Sequence, residues 1–133
     1  MLTHAQPVSE TEIGQLFVDA FNRRSADDLV ALSHPDIEFR PTMLTGSRRI
    51  YRGHEGLRTW AAELVAGGAG HQVRVREIRS VEGNRLIVLS EVLLDGEVLT
   101  PSAMVARLRD GKIVEVKAYL SDEATLNELD LLR

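Results

Sequence analysis

HQVRVREIRSVEGNRLIVLSEVLLDGEVLTPSAMVARLRDGKIVEVKAYL, residues 71–120, decides the fold. Across it apolar residues return at every second position, the period of a strand, whereas upstream they return at the three-and-four spacing of a helix. Three interruptions divide it: Glu82-Gly83-Asn84, Asp95-Gly96 and Asp110-Gly111. Asp-Gly pairs favour the left-handed backbone of tight hairpin turns. The spacing therefore predicts four strands, over 72–81, 85–94, 97–109 and 112–120, running as an antiparallel meander.

Upstream, Ser9 reads as a helix N-cap, and Glu12 completes a Ser-x-x-Glu capping box. Ile13, Leu16, Phe17, Ala20 and Phe21 then form one apolar stripe. Ser25-Ala26-Asp27-Asp28 restarts a short helix through Leu29, Val30 and Leu32, which ends at His34-Pro35. Ile37, Phe39 and Pro41 alternate with Glu38 and Arg40, giving a short strand whose proline marks an edge or a bulge. The turn from Tyr51 to Gly56 leads into a third helix, with Leu57, Trp60, Ala61, Leu64 and Val65 on one face and Gly67-Gly68-Ala69-Gly70 as its stop. Residues 1–8 read as a frayed leader, and 122–132 as a short terminal helix.

With 133 residues and 44% hydrophobic content, the chain supports one core and one domain. The expected architecture is α+β: a cone-shaped, curved, mixed or antiparallel sheet with three helices of the N-terminal half packed on its concave face. Helices of this length do not fill such a concavity, so a ligand cavity is expected there.

Composition removes several function classes. The net charge of -4 and dispersed basic residues argue against a nucleic-acid surface. Arg74, Arg76 and Arg79 alternate with apolar residues and read as a solvated strand face. The absence of cysteine excludes thiolate metal sites and disulfides within this chain. No stretch approaches the ~20 apolar residues of a membrane span, so no membrane partner is expected and cytoplasmic residence is the default. No cofactor is called for. The histidines lack metal-ligand spacing on one helix face.

The chain resembles the SnoaL-like branch of the nuclear transport factor 2-like superfamily, with its cystatin-like α+β roll. Four motifs carry the likeness: Phe17 to Asn22, Leu32 to Phe39, Tyr51 to Leu57, and Arg109 to Glu115. That branch includes polyketide cyclases, ketosteroid isomerase and limonene epoxide hydrolase, so the likeness implies fold more than reaction. In the isomerase an Asp base works with a Tyr and a protonated Asp as oxyanion donors. Matching the motifs puts Arg40 at the base position, Phe17 at the tyrosine, and Met104 or a neighbour at the protonated aspartate. Arg40 cannot accept a proton from carbon, and Phe17 and Met104 cannot donate to an oxyanion, so that isomerisation is not expected. Asp122 falls close to the acid/base of the polyketide cyclases, one residue late, and reads alternatively as the N-cap of the last helix. The epoxide hydrolase's Asp-Arg-Asp site finds no pair of aspartates beside Arg40.

The same matching turns Val88, Ser90, Val92, Ser102 and Met104 toward the concavity, with Val116, Ala118 and Leu120 beside them. Phe17, Phe21, Leu57 and Trp60 would roof it, with Phe39 on the first strand and Tyr51 at the mouth. Arg40 is either a receiver for a ligand carboxylate, enolate or carbonyl, or the partner of Glu38 on its own strand face. His71, at the rim, is an acid/base candidate; His34 and His54 read as structural hydrogen-bonders. Glu91, Lys117 and Tyr119 fall on the opposite sheet face among apolar residues, which suggests a homodimer through that face. The expected ligand is one small apolar molecule. The alternative is a non-catalytic module that uses the outer sheet face for a partner chain.

Overall fold

The structure, a computed structural model, describes residues 9–41, 49–67, 70–81 and 84–119. The expected leader, the terminal helix, Leu120 and Asp122 lie outside the described residues.

Helix α1 spans Glu10–Asn22, capped by the Ser9 hydroxyl, which accepts from the Glu12 amide. The Glu12 carboxylate meets the Ser9 hydroxyl at 3.1 Å, so the box closes side chain to side chain. The helix ends in a Schellman pattern: Ser25 N–H donates to Ala20 O, and Arg24 N–H donates to Phe21 O. Arg24 holds the left-handed position at φ 57°, which costs a non-glycine residue energy. Its guanidinium offsets that by donating to Phe21 O at 2.9 Å and to His71 O at 2.7 Å. Helix α2, Ala26–Ala31, is capped by Ser25, and Lys112 Nζ donates to the exposed Ala31 carbonyl at its end.

Strand β1 runs over Ser33–Arg40 and β2 over Tyr51–Arg52; helix α3 covers Gly53–Gly67. The meander strands are β3 (Gln72–Val81), β4 (Arg85–Leu94), β5 (Glu97–Arg109) and β6 (Lys112–Tyr119). The sheet order is β2-β1-β6-β5-β4-β3, with β1 parallel to β6 and the remaining pairs antiparallel. Asp95, Gly96, Asp110 and Gly111 all take positive φ, as tight hairpin turns require. Register shifts interrupt the β1–β6, β3–β4, β4–β5 and β5–β6 ladders. Such bulges bend and twist the sheet, and here they curl it around the helices.

Two sequence expectations change. β1 begins at Ser33, four residues before the expected start at Ile37, because it is anchored by β6: Ser33 pairs with Ile113, whose amide donates to Leu32 O at 3.0 Å. Pro35 falls inside the register shift between Ser33 and Glu38, where its missing amide breaks no ladder bond, so the irregularity sits there and not at Pro41. Tyr51 and Arg52 form a short strand paired with Phe39 and Glu38 where a turn was expected.

Candidate ligand site

Strand alternation fixes the inner face. Leu86, Val88 and Ser90 on β4, Met104 and Ala106 on β5, and Val116 and Ala118 on β6 are buried. Phe17 and Phe21, one helical turn apart on α1, come down on this face from one side, and Trp60 of α3 from the other. All three phenylalanines of the chain and its single tryptophan gather here. Phe21 stacks on Trp60 at 5.5 Å, Phe39 meets it edge-on at 4.3 Å, and Phe17 meets Phe39 at 6.0 Å.

Between these rings and the sheet lies a cavity of about 30 Å³, within a hollow that measures about 400 Å³ when its mouth is counted. The smaller figure is the space that water can occupy in this partly open hollow, room for roughly one molecule. A roomier hollow of about 310 Å³ between Pro35 to Glu38 and Arg52-Gly53 is open outer surface. The interior hollow is concave and lined by aromatic and aliphatic side chains.

Eight of the expected residues wall the cavity: Phe17, Phe21, Phe39 and Trp60 as its roof and side, and Val88, Ser90, Met104 and Ala118 as its floor. Val18 and Val73 complete it and were not expected. For Val73 the signal was present, in the alternation that opens β3; Val18 was hidden beside Phe17. Ser102 lies behind the floor, its hydroxyl 2.8 Å from that of Ser90. Leu57 and Val116 are fully buried core residues, not wall residues.

Arg40 does not reach the cavity. It follows Phe39 in β1, and consecutive strand residues point to opposite faces, so it shares the outer face with Glu38 and stands opposite Lys117 in the register. Glu38 Oε1 is 3.6 Å from its guanidinium, and Arg52 holds the other carboxylate oxygen at 2.8 Å. The structure thus places Arg40 in the Glu38 pairing, outside the cavity wall.

Tyr51 is buried but turned toward α3, where its hydroxyl donates to Glu63 while Arg49 contacts the same carboxylate at 2.8 Å. Burial, reinforced by Glu63, raises the phenol pKa; the Tyr51 hydrogen bond holds the Glu63 carboxyl below its ordinary value. His71 is outside the wall, and its carbonyl is engaged by Arg24. His54 Nε2 lies 2.9 Å from Ser33 O, and His34 Nδ1 accepts from the Asp36 amide, so both serve the backbone. Two anchors missed in the sequence hold α1 against the β3 wall: Arg24, and Asn22, whose amide donates to Val73 O and accepts from Val73 N at 2.8 Å each. Among the described residues no cluster of three metal-ligating side chains occurs.

The SnoaL-like domain model matches residues 15–116, which carry both aromatic helices and nearly the whole sheet. The chain belongs to the SnoaL-like family. Solved structures agree on the fold of this SnoaL-like protein. A nuclear transport factor 2-like protein from Burkholderia pseudomallei matches with a TM-score of 0.68 at 16% identity, covering 89% of this chain and 95% of its own. A candidate polyketide cyclase from Sinorhizobium meliloti gives 0.64 at 16% identity over 83% and 98%. TerC, co-crystallised with polyporic acid, gives 0.65 at 22% identity over 89% and 95%. Among curated proteins none matches the chain in sequence.

Proposed function

We propose that this SnoaL-like protein binds one small hydrophobic, carbonyl-containing molecule between α1, α3 and the sheet. Its natural comparison is with isomerases, cyclases and hydrolases of the fold. The observation that carries the reading is the convergence of every phenylalanine and the tryptophan on one partly open hollow walled by Val18, Val73, Val88 and Met104. Its described wall offers the Ser90 hydroxyl and the Trp60 indole as polar groups, neither of which titrates near neutrality. Positioning of a bound molecule is therefore the catalytic contribution this wall can make by itself. Phe17 and Met104 sit in the wall where the ketosteroid isomerase match expects oxyanion donors, and Arg40 lies outside it, so steroid-type isomerisation is not part of the proposal.

The test is native mass spectrometry of protein purified without organic solvent, compared with an Ala118→Leu variant that fills the floor. A non-covalent adduct on the parent that is lost from the variant supports the reading. Bare chain in both, with Trp60 emission indifferent to a panel of apolar ketones, refutes it.

A second reading, a module that pairs through the outer sheet face, has its own observation. Ile87, Ala103 and Val105 on that face are already buried within one chain, whereas Val98 and Leu99 are 47% and 54% exposed beside Leu93. A homodimer would therefore use the Val98 end of β5. Sedimentation that shows a dimer in the parent and a monomer in Val98→Lys would support it; a monomer at every concentration would refute it.

A further inference from the structure

Trp60 is 1% exposed, and its indole nitrogen is buried with no hydrogen-bond partner among the described residues. A buried indole N–H ordinarily finds an acceptor, and leaving one unmade is unfavourable. The ring is not free to turn toward one. Phe21 lies nearly parallel to it at 20°, and Phe39 presses its edge at 66°. The same residue walls a partly open cavity in which water-sized room amounts to about 30 Å³. These observations are independent of each other, and one event relieves both: entry of a molecule that parts the walls and brings an acceptor to the indole.

The wall also sets the kind of acceptor. It contains no charged side chain among the described residues. A carboxylate entering it would lose its hydration without meeting a cation in the wall, since Arg40 faces the other side of the sheet and Arg24, 4.5 Å from the Phe21 ring, is engaged by Phe21 O and His71 O. The Ser102 hydroxyl can donate to Ser90 at 2.8 Å while Ser90 donates to Ser102 O at 3.4 Å, so within the wall the indole is the donor left without a partner.

We propose that the Trp60 Nε1–H is the specificity donor of the site, receiving a neutral ketone or quinone oxygen. It would let the protein tell oxygenated aromatic molecules from hydrocarbons of the same shape. This rests on the ligand-binding reading above and adds to it the orienting contact and the class of acceptor.

The experiment uses the full chain and two probes of similar size, methyl naphthyl ketone and isopropylnaphthalene. Because the chain has one tryptophan, its spectrum has one indole N–H resonance. Both probes should move the methyl resonances of Val73, Val88 and Met104, and only the ketone should shift the indole proton downfield. Trp60→Phe should weaken the ketone about tenfold, the effect of one hydrogen bond, and leave the hydrocarbon within about twofold. An indole proton that responds alike to both probes, or to neither while the methyls move, overturns the inference and leaves the ligand reading standing. Methyls that respond to neither probe overturn both. If Trp60→Phe does not fold, the indole shift of the parent decides alone.

Discussion

Gly56 gives the most direct test of how α3, and with it Trp60, is seated. A Cβ added at this position would stand 2.9 Å from the Tyr51 carbonyl carbon and 3.3 Å from both its Cα and its Cβ. Carbon atoms pack best at roughly 3.5–4.0 Å, and the obstructing atoms are backbone or fixed to it, so no rotamer change clears them. The helix must retreat from β2 by about half an ångström or more, or β2 must bend. Overpacking of this kind costs about 1–3 kcal/mol, while alanine in place of helical glycine returns about 1 kcal/mol. Gly56→Ala should therefore destabilise the fold by about 1 kcal/mol, a fall in Tm of roughly 3–5 °C for a domain of this size. Gly67, at the far end of the same helix, has nothing within 4 Å of its would-be Cβ, and Gly67→Ala should raise the Tm slightly. Opposite signs for one substitution on one helix separate packing from propensity. Trp60 stands one turn beyond Gly56, so its emission should shift in the first variant and not in the second. Thermal melts that place Gly56→Ala at or above the parent, with unchanged emission, would refute the reasoning.

Ser90→Ala strands the Ser102 hydroxyl in the core at 0% exposure, which should cost about 1–2 kcal/mol in urea unfolding. Adding Ser102→Ala should cost less than the two single changes summed, a coupling that a double-mutant cycle measures. Asn22→Ala removes both amide bonds to Val73 and should cost about 1–3 kcal/mol, with amide exchange at Val73 accelerated first. Tyr51→Phe should make stability respond differently to pH. The Glu63 pKa lies below its ordinary 4.5 in the fold, so its contribution is present above that value and disappears as pH falls through the folded one. The Tyr51 pKa lies above its ordinary 10.0, so its contribution is present below that value and is lost as pH rises through the folded one. The Tm difference between parent and variant should be flat from roughly pH 5 to 9 and shrink at both ends, and a difference that grows in acid would contradict the Glu63 assignment.

The meander was readable because its signals are local. Asp95-Gly96 and Asp110-Gly111 specify their turns within two residues, and β-period alternation separates Val88 and Ser90 from Ile87 and Leu89 without knowledge of the partners. The start of β1 was not readable, because the ladder that defines it lies across the chain at Ile113, and Pro35 by itself argues for a stop. Tyr51 and Arg52 are a strand only through Glu38 and Phe39, for the same reason. The site was legible where alternation and helical spacing decide it, and illegible where a side chain's reach decides it. Assigning both Phe39 and Arg40 to one cavity conflicts with the strand period itself, and the aromatic residue takes the inner face because burying the guanidinium there would need a partner the wall lacks. Tyr51 faces inward, as its pairing with Phe39 requires, but its hydroxyl finds Glu63 one layer outside the cavity.

For a ligand larger than one water to enter, a wall has to give, and the bonding pattern says which. Helix α1 is tied at its C-terminal end to the start of β3 by three side-chain bonds from Asn22 and Arg24 to the backbone of residues 71–73, and by a fourth that Gln72 Nε2 donates to Asn22 O. Moving it would break these together and disturb the Schellman turn. Helix α3 has one side-chain bond to the backbone of β1, from His54 to Ser33 O at its first turn, and its later ties run to β2 through Glu63 and to Asp27 through Arg58. β2 is an edge strand of two residues, held to β1 by the two pairs Glu38–Arg52 and Phe39–Tyr51. It can travel with α3 at small cost, whereas β3 is one strand of a ladder of nine pairs with β4. Amide exchange in the apo protein should therefore be faster through Leu57 to Leu64 than through Ile13 to Phe21, and a bound ketone should slow the first segment more than the second. Equal protection in both helices, or a ligand effect confined to α1, would mean that the cavity opens from the other side and that Trp60 is a fixed wall.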